Sequence, residues 1–189
     1  DIEKQGEAYD FNNVQLSYYS ALRELGINID FISVDSDFTP YSIIIAPSLP
    51  IVDQAFVDRC KASSAQFIFG PRAGVKTSEF GYPDSLPPGL LQQLIPIRVL
   101  SVETLRADCT EDLSWNNQQY QSGSWREQLD AAHTKVLARY EDNQPAVVSE
   151  GRFTYMGTLT DREFLLDFFQ HYCRQADIPI YRFGADIRV

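Results

Sequence analysis

Residues 66–74 read Gln66-Phe67-Ile68-Phe69-Gly70-Pro71-Arg72-Ala73-Gly74, and this stretch joins an apolar run to a turn rich in glycine. A short apolar run that ends in glycine predicts a buried strand followed by a sharp turn. Gly70 and Gly74 flank Arg72 with the outline of a nucleophile elbow, in which glycines let the chain turn and expose the central side chain. A guanidinium stays protonated and cannot attack a carbonyl, so the pattern predicts a degenerate elbow at Gly70, Arg72 and Gly74. A plain turn is the alternative, and Pro71 favours it.

The segments before this stretch predict helices and strands in alternation. Apolar positions at helical spacing predict a helix over residues 12–25. Apolar runs predict strands over residues 27–34 and 41–46, and an amphipathic segment follows over residues 52–60. The gap between the two strands is too short for a helical crossover, so either one strand lies at an edge or the sheet winds outward in another way. We predict an α/β fold with a doubly wound, flavodoxin-like, mainly parallel sheet and helices on both faces.

The second half of the chain predicts a β-rich addition and a final helix. Residues 70–96 read as a loop with a helix candidate at 90–95, and residues 97–105 as a strand, whereas 107–129 receive no assignment. Three short apolar runs between turn residues predict a meander, at 136–140, 146–148 and 152–156. Thr160 and Glu163 have capping-box spacing before the apolar stripe of a helix that ends near Asp177. We find no linker, so residues 1–189 are predicted to form one domain.

The composition is that of an acidic globular chain. Of 189 residues, 16 are Lys or Arg and 26 are Asp or Glu, which gives a net charge of -10. Such a chain has no excess of positive charge to neutralise a phosphate backbone, so nucleic acid is excluded as a partner. No apolar run approaches the roughly 20 residues that a membrane helix needs. The first residues contain neither a starting Met nor a signal-peptide pattern, so we expect an internal fragment of a cytoplasmic protein.

No convincing catalytic constellation stands out in the sequence. The cysteines are odd in number and lack close spacing, which predicts reduced thiols rather than disulfides or a zinc site at Cys60, Cys109 and Cys173. His133 and His171 are the only histidines. His133 has no nucleophile near it in sequence, and His171 lies beside the apolar stripe of the last helix, where a structural role is favoured over catalysis. We predict no metal site and no cofactor.

Three further patterns could bind a ligand, and each also has a plainer structural explanation. Asp35 and Asp37 follow a predicted strand end, where ligands collect in open α/β sheets, but solvated loop acids have the same pattern. Arg72 and Lys76 could bind an anion, although no glycine-rich phosphate loop precedes a helix there. Aromatic side chains in a polar stretch could stack on a sugar or pack beneath a loop, and these are Trp115, Tyr120 and Trp125.

Several segments, taken in order, carry a family resemblance. They are Gln5-Gly6-Glu7-Ala8-Tyr9-Asp10-Phe11, residues 19–30, Ile45-Ala46-Pro47-Ser48-Leu49-Pro50-Ile51-Val52, residues 70–77 with Leu86-Pro87-Pro88-Gly89, residues 136–140 and residues 153–158. Together they resemble the middle domain of family 42 glycoside hydrolases, the bacterial β-galactosidases.

The resemblance implies a fold similar to class I glutamine amidotransferases, without a working nucleophile, and a homotrimer assembled around a catalytic (β/α)8 barrel. It also implies a retaining enzyme that hydrolyses terminal β-D-galactosides with two glutamates of that barrel. A barrel needs about 250 residues, more than this chain has, so no residue here is expected to be catalytic. Family members carry a first strand before Gln5, so we expect an unpaired sheet edge in this chain.

The leading hypothesis is therefore a noncatalytic oligomerisation domain of a β-galactosidase. One alternative is an active amidotransferase-like or peptidase-like hydrolase that pairs one of the three cysteines with one of the two histidines. Another is a flavodoxin-like small-molecule binding module whose crevice is formed by the loops after Val34, Ala46 and Gly70.

Overall fold

The computed structural model describes residues 9–106 and 109–181 of the chain. Within these ranges it contains the helices α1 (Phe11–Glu24), α2 (Gln54–Ala62) and α3 (Arg162–Gln175) and a short 3-10 helix (Gly89–Gln93). The strands are β1 (Ile43–Ala46), β2 (Gln66–Phe69), β3 (Arg98–Thr104), β4 (Glu111–Trp115), β5 (Gln118–Asp130), β6 (Lys135–Tyr140), β7 (Pro145–Glu150), β8 (Phe153–Met156) and β9 (Thr158–Thr160). The first part of the motif that begins at Gln5 and the start of the unassigned stretch at 107 lie outside the described residues.

The strands form one mixed sheet in the order β1-β2-β8-β7-β6-β4-β5-β3, with β9 paired to β5. Within the described residues, the β1–β2 and β2–β8 pairs are parallel and every other pair is antiparallel. The prediction of a doubly wound, mainly parallel, flavodoxin-like sheet is therefore wrong, because the chain is a mostly-sheet, curled half-barrel with few helices. The physical reason lies in the connections after residue 98. Residues 141–144 and 151–152 join neighbouring strands, and such short links permit hairpins but not helical crossovers.

Side chains of β2 alternate between two apolar layers. Ile68 packs with the residues of α1 and α3, whereas Phe67 and Phe69 pack with those of α2 and the 3-10 helix. Because β2 is buried on both sides, its C-terminal end is a fixed point from which the following turn departs.

Residues 27–34 do not form the predicted strand. They are coil and turn, and Phe31 is 79% exposed. A strand needs a neighbouring strand for its backbone hydrogen bonds. In the described part of the chain β1 pairs with β2 alone, so β1 does not supply that neighbour to residues 27–34. A groove of 660 Å³, lined largely by apolar side chains, separates residues 26–32 from β1. The outer edge of β1 is therefore unpaired within the described residues.

The other local predictions are confirmed with small shifts in their boundaries. The helices predicted at 12–25 and 52–60, the strands at 41–46, 66–70 and 97–105, and the meander are all present. The candidate at 90–95 is realised as a 3-10 helix. The capping residue of α3 is Asp161 rather than Thr160, since Asp161 Oδ1 accepts a hydrogen bond from the Phe164 backbone N–H at 2.7 Å. The helix ends at Gln175.

The stretch that received no assignment forms a long hairpin of β4 and β5. Two residues join these strands, Asn116 with φ 53° and Asn117 with φ 62°. Left-handed conformations at both positions are typical of the tightest hairpin turns, and asparagine tolerates them better than most residues.

Candidate functional site

The turn after β2 has an unusual backbone. Arg72 has φ 64°, a left-handed conformation that is uncommon for residues other than glycine, and Gly74 has φ 66°. A Cβ atom on Gly70 would lie 1.9 Å from the carbonyl oxygen of Pro47, and one on Gly74 would lie 2.0 Å from that of Pro88. Both glycines are therefore required, because neighbouring backbone approaches too closely for any side chain.

The side chain at the apex of this turn is buried. Arg72 is only 5% exposed, and its guanidinium carbon lies 4.9 Å from the ring centroid of Tyr9 and 5.8 Å from that of Trp125. At these distances a cation is attracted to the face of an aromatic ring. The Tyr9 hydroxyl donates to the Pro71 carbonyl oxygen at 3.4 Å, which ties this aromatic contact to the turn.

A buried carboxylate on β5, Glu127, holds the same turn. Its Oε1 accepts from the Arg72 backbone N–H at 2.8 Å and from Trp125 Nε1 at 3.3 Å, and its Oε2 accepts from the Tyr155 hydroxyl at 2.7 Å. Burial raises the pKa of the Glu127 carboxyl, and these hydrogen bonds and the Arg72 charge offset part of that effect.

Sequence reasoning missed Glu127. The signal that could have found it is the spacing of Trp125, Glu127 and Leu129, which recur at the period of one strand face. An acid between two large apolar residues at that spacing indicates a buried carboxylate. The polar neighbours of these residues hid the pattern.

The groups considered for nucleophilic catalysis are not assembled into a site. Cys60 on α2 and Cys173 on α3 are buried, Cys109 is exposed, and none of the three is in a disulfide. Burial raises the pKa of the Cys60 thiol to about 12, which opposes formation of a thiolate. His171 Nε2 lies 3.0 Å from Gln175 Nε2, and burial also raises the pKa of the Cys173 thiol on the same helix. Buried thiols with raised pKa values do not favour the active-hydrolase alternative.

The aromatic residues considered as a sugar platform are packed into the core. Trp115 and Tyr120 are buried, and their ring centroids lie 5.6 and 5.3 Å from that of Phe164 on α3. His171 packs edge-on against Trp115 at 5.6 Å, and this burial lowers the pKa of its imidazole. Trp125 belongs to the Arg72 contact described above. None of the three presents an open ring face for stacking.

The charged residues considered as ligand sites have separate local partners. Asp35 forms an exposed ion pair with Arg59 at 3.1 Å, and Asp37 accepts hydrogen bonds within its own loop. Lys76 Nζ lies 3.9 Å from the ring centroid of Tyr82, whereas Arg72 is buried, so the two do not form a shared anion site. Over the described ranges, no group of three His, Cys, Asp or Glu could hold a metal ion, and no helix is long and apolar enough to cross a membrane.

Comparison with known protein families identifies the family of this chain. The sequence profile of the family described as the β-galactosidase trimerisation domain matches residues 1–179. The chain belongs to this family. A β-galactosidase from Thermus thermophilus is 33% identical over 156 residues, which cover 82% of the chain and 24% of that protein. A second, from Thermus sp., is 32% identical over 165 residues, which cover 87% of the chain and 25% of the relative. This trimerisation domain thus spans about a quarter of the length of the curated relatives it matches.

Solved structures share the fold of this trimerisation domain. The β-galactosidase of the psychrophilic Marinomonas ef1 superposes with a TM-score of 0.91 at 24% identity, covering 95% of the chain and 27% of that protein. The β-galactosidase of the Antarctic haloarchaeon Halorubrum lacusprofundi superposes with a TM-score of 0.90 at 24% identity, covering 97% of the chain and 29% of that protein. The resemblance to family 42 β-galactosidases is confirmed, and the relatives are not confined to bacteria. The amidotransferase-like detail is not confirmed.

Proposed function

We propose that this trimerisation domain is a noncatalytic oligomerisation domain of a retaining β-galactosidase. The whole protein would hydrolyse terminal β-D-galactosides in a separate (β/α)8 barrel and assemble as a homotrimer. The observation that carries the proposal is the match of the family profile to residues 1–179. The relatives are β-galactosidases of which the chain spans a quarter, which leaves room elsewhere for a barrel of about 250 residues.

The Arg72 turn supports a structural rather than a catalytic role for this domain. We interpret Gly70, Arg72 and Gly74 as a degenerate nucleophile elbow, in which the left-handed apex persists without a nucleophile. The guanidinium cannot attack a carbonyl, and it is buried against two aromatic rings. The apex N–H is already bonded to Glu127. Both the side chain and the backbone N–H at the apex are therefore engaged in contacts that hold the turn.

The groove beside β1 supports the further proposal that a strand from the rest of the protein inserts there. Isoleucines of β1 and Ile27, Ile29 and Phe31 line its two sides. A strand seated between them would pair with the edge of β1 that is unpaired in the described residues, and it would give residues 27–34 a neighbouring strand. The first strand that the family resemblance implies is our candidate for this position.

The test of the proposed function is the activity of the chain alone. We expect the purified 189-residue chain to release no chromophore above background from a chromogenic β-galactoside, because the resemblance implies that both catalytic glutamates belong to a barrel of about 250 residues, which is longer than this chain. The parent protein is the positive control, and a second purification removes contaminating host enzyme. Turnover that co-elutes with the chain through both purifications would contradict the proposal. A glutaminase or peptidase activity that thiol alkylation abolishes would instead support the hydrolase alternative.

A further inference from the structure

Four exposed apolar side chains lie on two adjoining segments, residues 86–90 and strand β3, neither of which lines the groove. We call Leu86, Leu90, Leu100 and Val102 the apolar patch. The backbone N–H of Val99 donates to the Pro87 carbonyl oxygen at 2.7 Å, which holds the segment containing the first two residues against β3. Single exposed apolar residues are ordinary on a protein surface, whereas several on adjoining segments are typical of an interaction surface.

The apolar patch lies at the end of the sheet opposite β1. Within the described residues β3 pairs with β5 alone, so its outer edge has no strand beside it. The pairing shifts register between Val99 and Ser101, which leaves Leu100 outside the regular ladder. Isolated proteins commonly protect such edges with charged side chains, but Leu100 and Val102 are exposed apolar residues in the middle of this one.

Few charged residues lie in the segments that carry the apolar patch. Residues 80–102 contain one acid, Asp84, and one base, Arg98, so their formal net charge is zero in a chain of net charge -10. The exposed apolar residues near the groove lie in a stretch, 23–37, that has one base and four acids. Two acidic copies repel each other, so a neutral apolar surface is where they can approach at the least electrostatic cost.

We propose that the apolar patch is the surface on which a second copy of this chain docks in the trimer. The inference rests on the proposed function, since the family supplies the trimer and the patch supplies the contact. A threefold axis near the patch would bring together the same residues from three copies. Edge-to-edge pairing of two identical antiparallel strands has twofold symmetry, so in a trimer the contact is made by side chains rather than by the backbone of β3.

The experiment places a charge in the apolar patch of the parent protein and measures association by sedimentation equilibrium. We expect Leu100→Glu to raise the dissociation constant of the trimer by at least about 10-fold, because each trimer gains three carboxylates in an apolar contact. The matched control is Leu16→Glu on α1, where the leucine is 58% exposed compared with 49% for Leu100. We expect this control to associate as the wild type does. Thermal unfolding establishes that both variants are folded, and Leu100→Ser, which adds no charge, replaces Leu100→Glu if that variant unfolds.

The outcomes separate the inference from the proposed function. A trimer of wild-type strength in the Leu100 variant would overturn the inference and leave the proposed function intact. A wild-type parent that is monomeric would overturn the proposed function itself. Equal weakening by Leu16→Glu would indicate a general effect of charge and would also overturn the inference. Loss of activity without a change in mass would mean that the patch contacts the catalytic domain of its own chain instead.

Discussion

Gly74→Ala should destabilise the chain by about 3 kcal/mol or more, combining the cost of a left-handed alanine with that of an overpacked contact. Gly74 has φ 66°, and an added Cβ atom would lie 2.0 Å from the Pro88 carbonyl oxygen. Backbone cannot move aside as a flexible side chain can, so the turn or the segment around Pro88 must shift. The measurement is the free energy of unfolding from urea titration.

The control for this substitution is Gly151→Ala. Gly151 also has a positive φ, 56°, but no atom lies within 4 Å of its added Cβ. It should therefore show only the conformational cost, about 1 kcal/mol. If the two variants were equally stable, the close approach at Gly74 would contribute nothing, and the turn would not be rigidly seated.

Glu127→Ala should destabilise the chain by about 3–5 kcal/mol, the cost typical of breaking a buried charged network. The change would leave three buried donors without their acceptor, namely the Arg72 N–H, the Trp125 indole N–H and the Tyr155 hydroxyl. Glu127→Gln keeps one acceptor oxygen and the shape of the side chain, so we expect a smaller loss. Glu150→Gln, an exposed acid on β7, is the control and should be near neutral. A stable alanine variant at position 127 would show that the carboxylate does not hold the turn.

The pH dependence of the glutamine variant provides an independent readout. The pKa of Glu127 is raised in the folded chain because burial disfavours the charged carboxylate. The stability contributed by this group is therefore complete below its unfolded pKa, near 4.5, and is lost as pH rises through the raised folded value. Between pH 4.5 and the raised folded pKa, the free energy of unfolding of the wild type should therefore fall relative to that of Glu127→Gln. Parallel stability curves for the two proteins would contradict the raised pKa.

Local structure could be predicted from the sequence wherever it depends on local chemistry. The apolar stripe of α3 and the run Phe67-Ile68-Phe69 before Gly70 each identify their element without reference to the rest of the chain. The predicted cap of α3, Thr160, is one position before the observed cap, Asp161. Both residue types are good caps, so the sequence does not decide between them. The structure does, because the Asp161 carboxylate accepts from the Phe164 backbone N–H.

The sheet and the site could not be predicted because they depend on distant partners. An apolar strand sequence does not specify the direction of its neighbour, so β2, which has parallel partners, and β7, which has antiparallel ones, look alike in sequence. Residues 27–34 have the composition of a strand, but they have no neighbouring strand among residues 9–106 and 109–181 and are coil and turn. Glu127 acquires its role from Arg72 and Tyr155, which are 55 and 28 residues away in the chain.

The role in assembly is tested most directly by the mass of the parent protein with and without this domain, measured by light scattering at one concentration. Circular dichroism and activity would establish that the remaining barrel is folded. We predict the mass of three subunits for the intact protein and of one subunit for the protein without the domain. A threefold mass that survives removal of the domain would contradict its assignment as the oligomerisation domain.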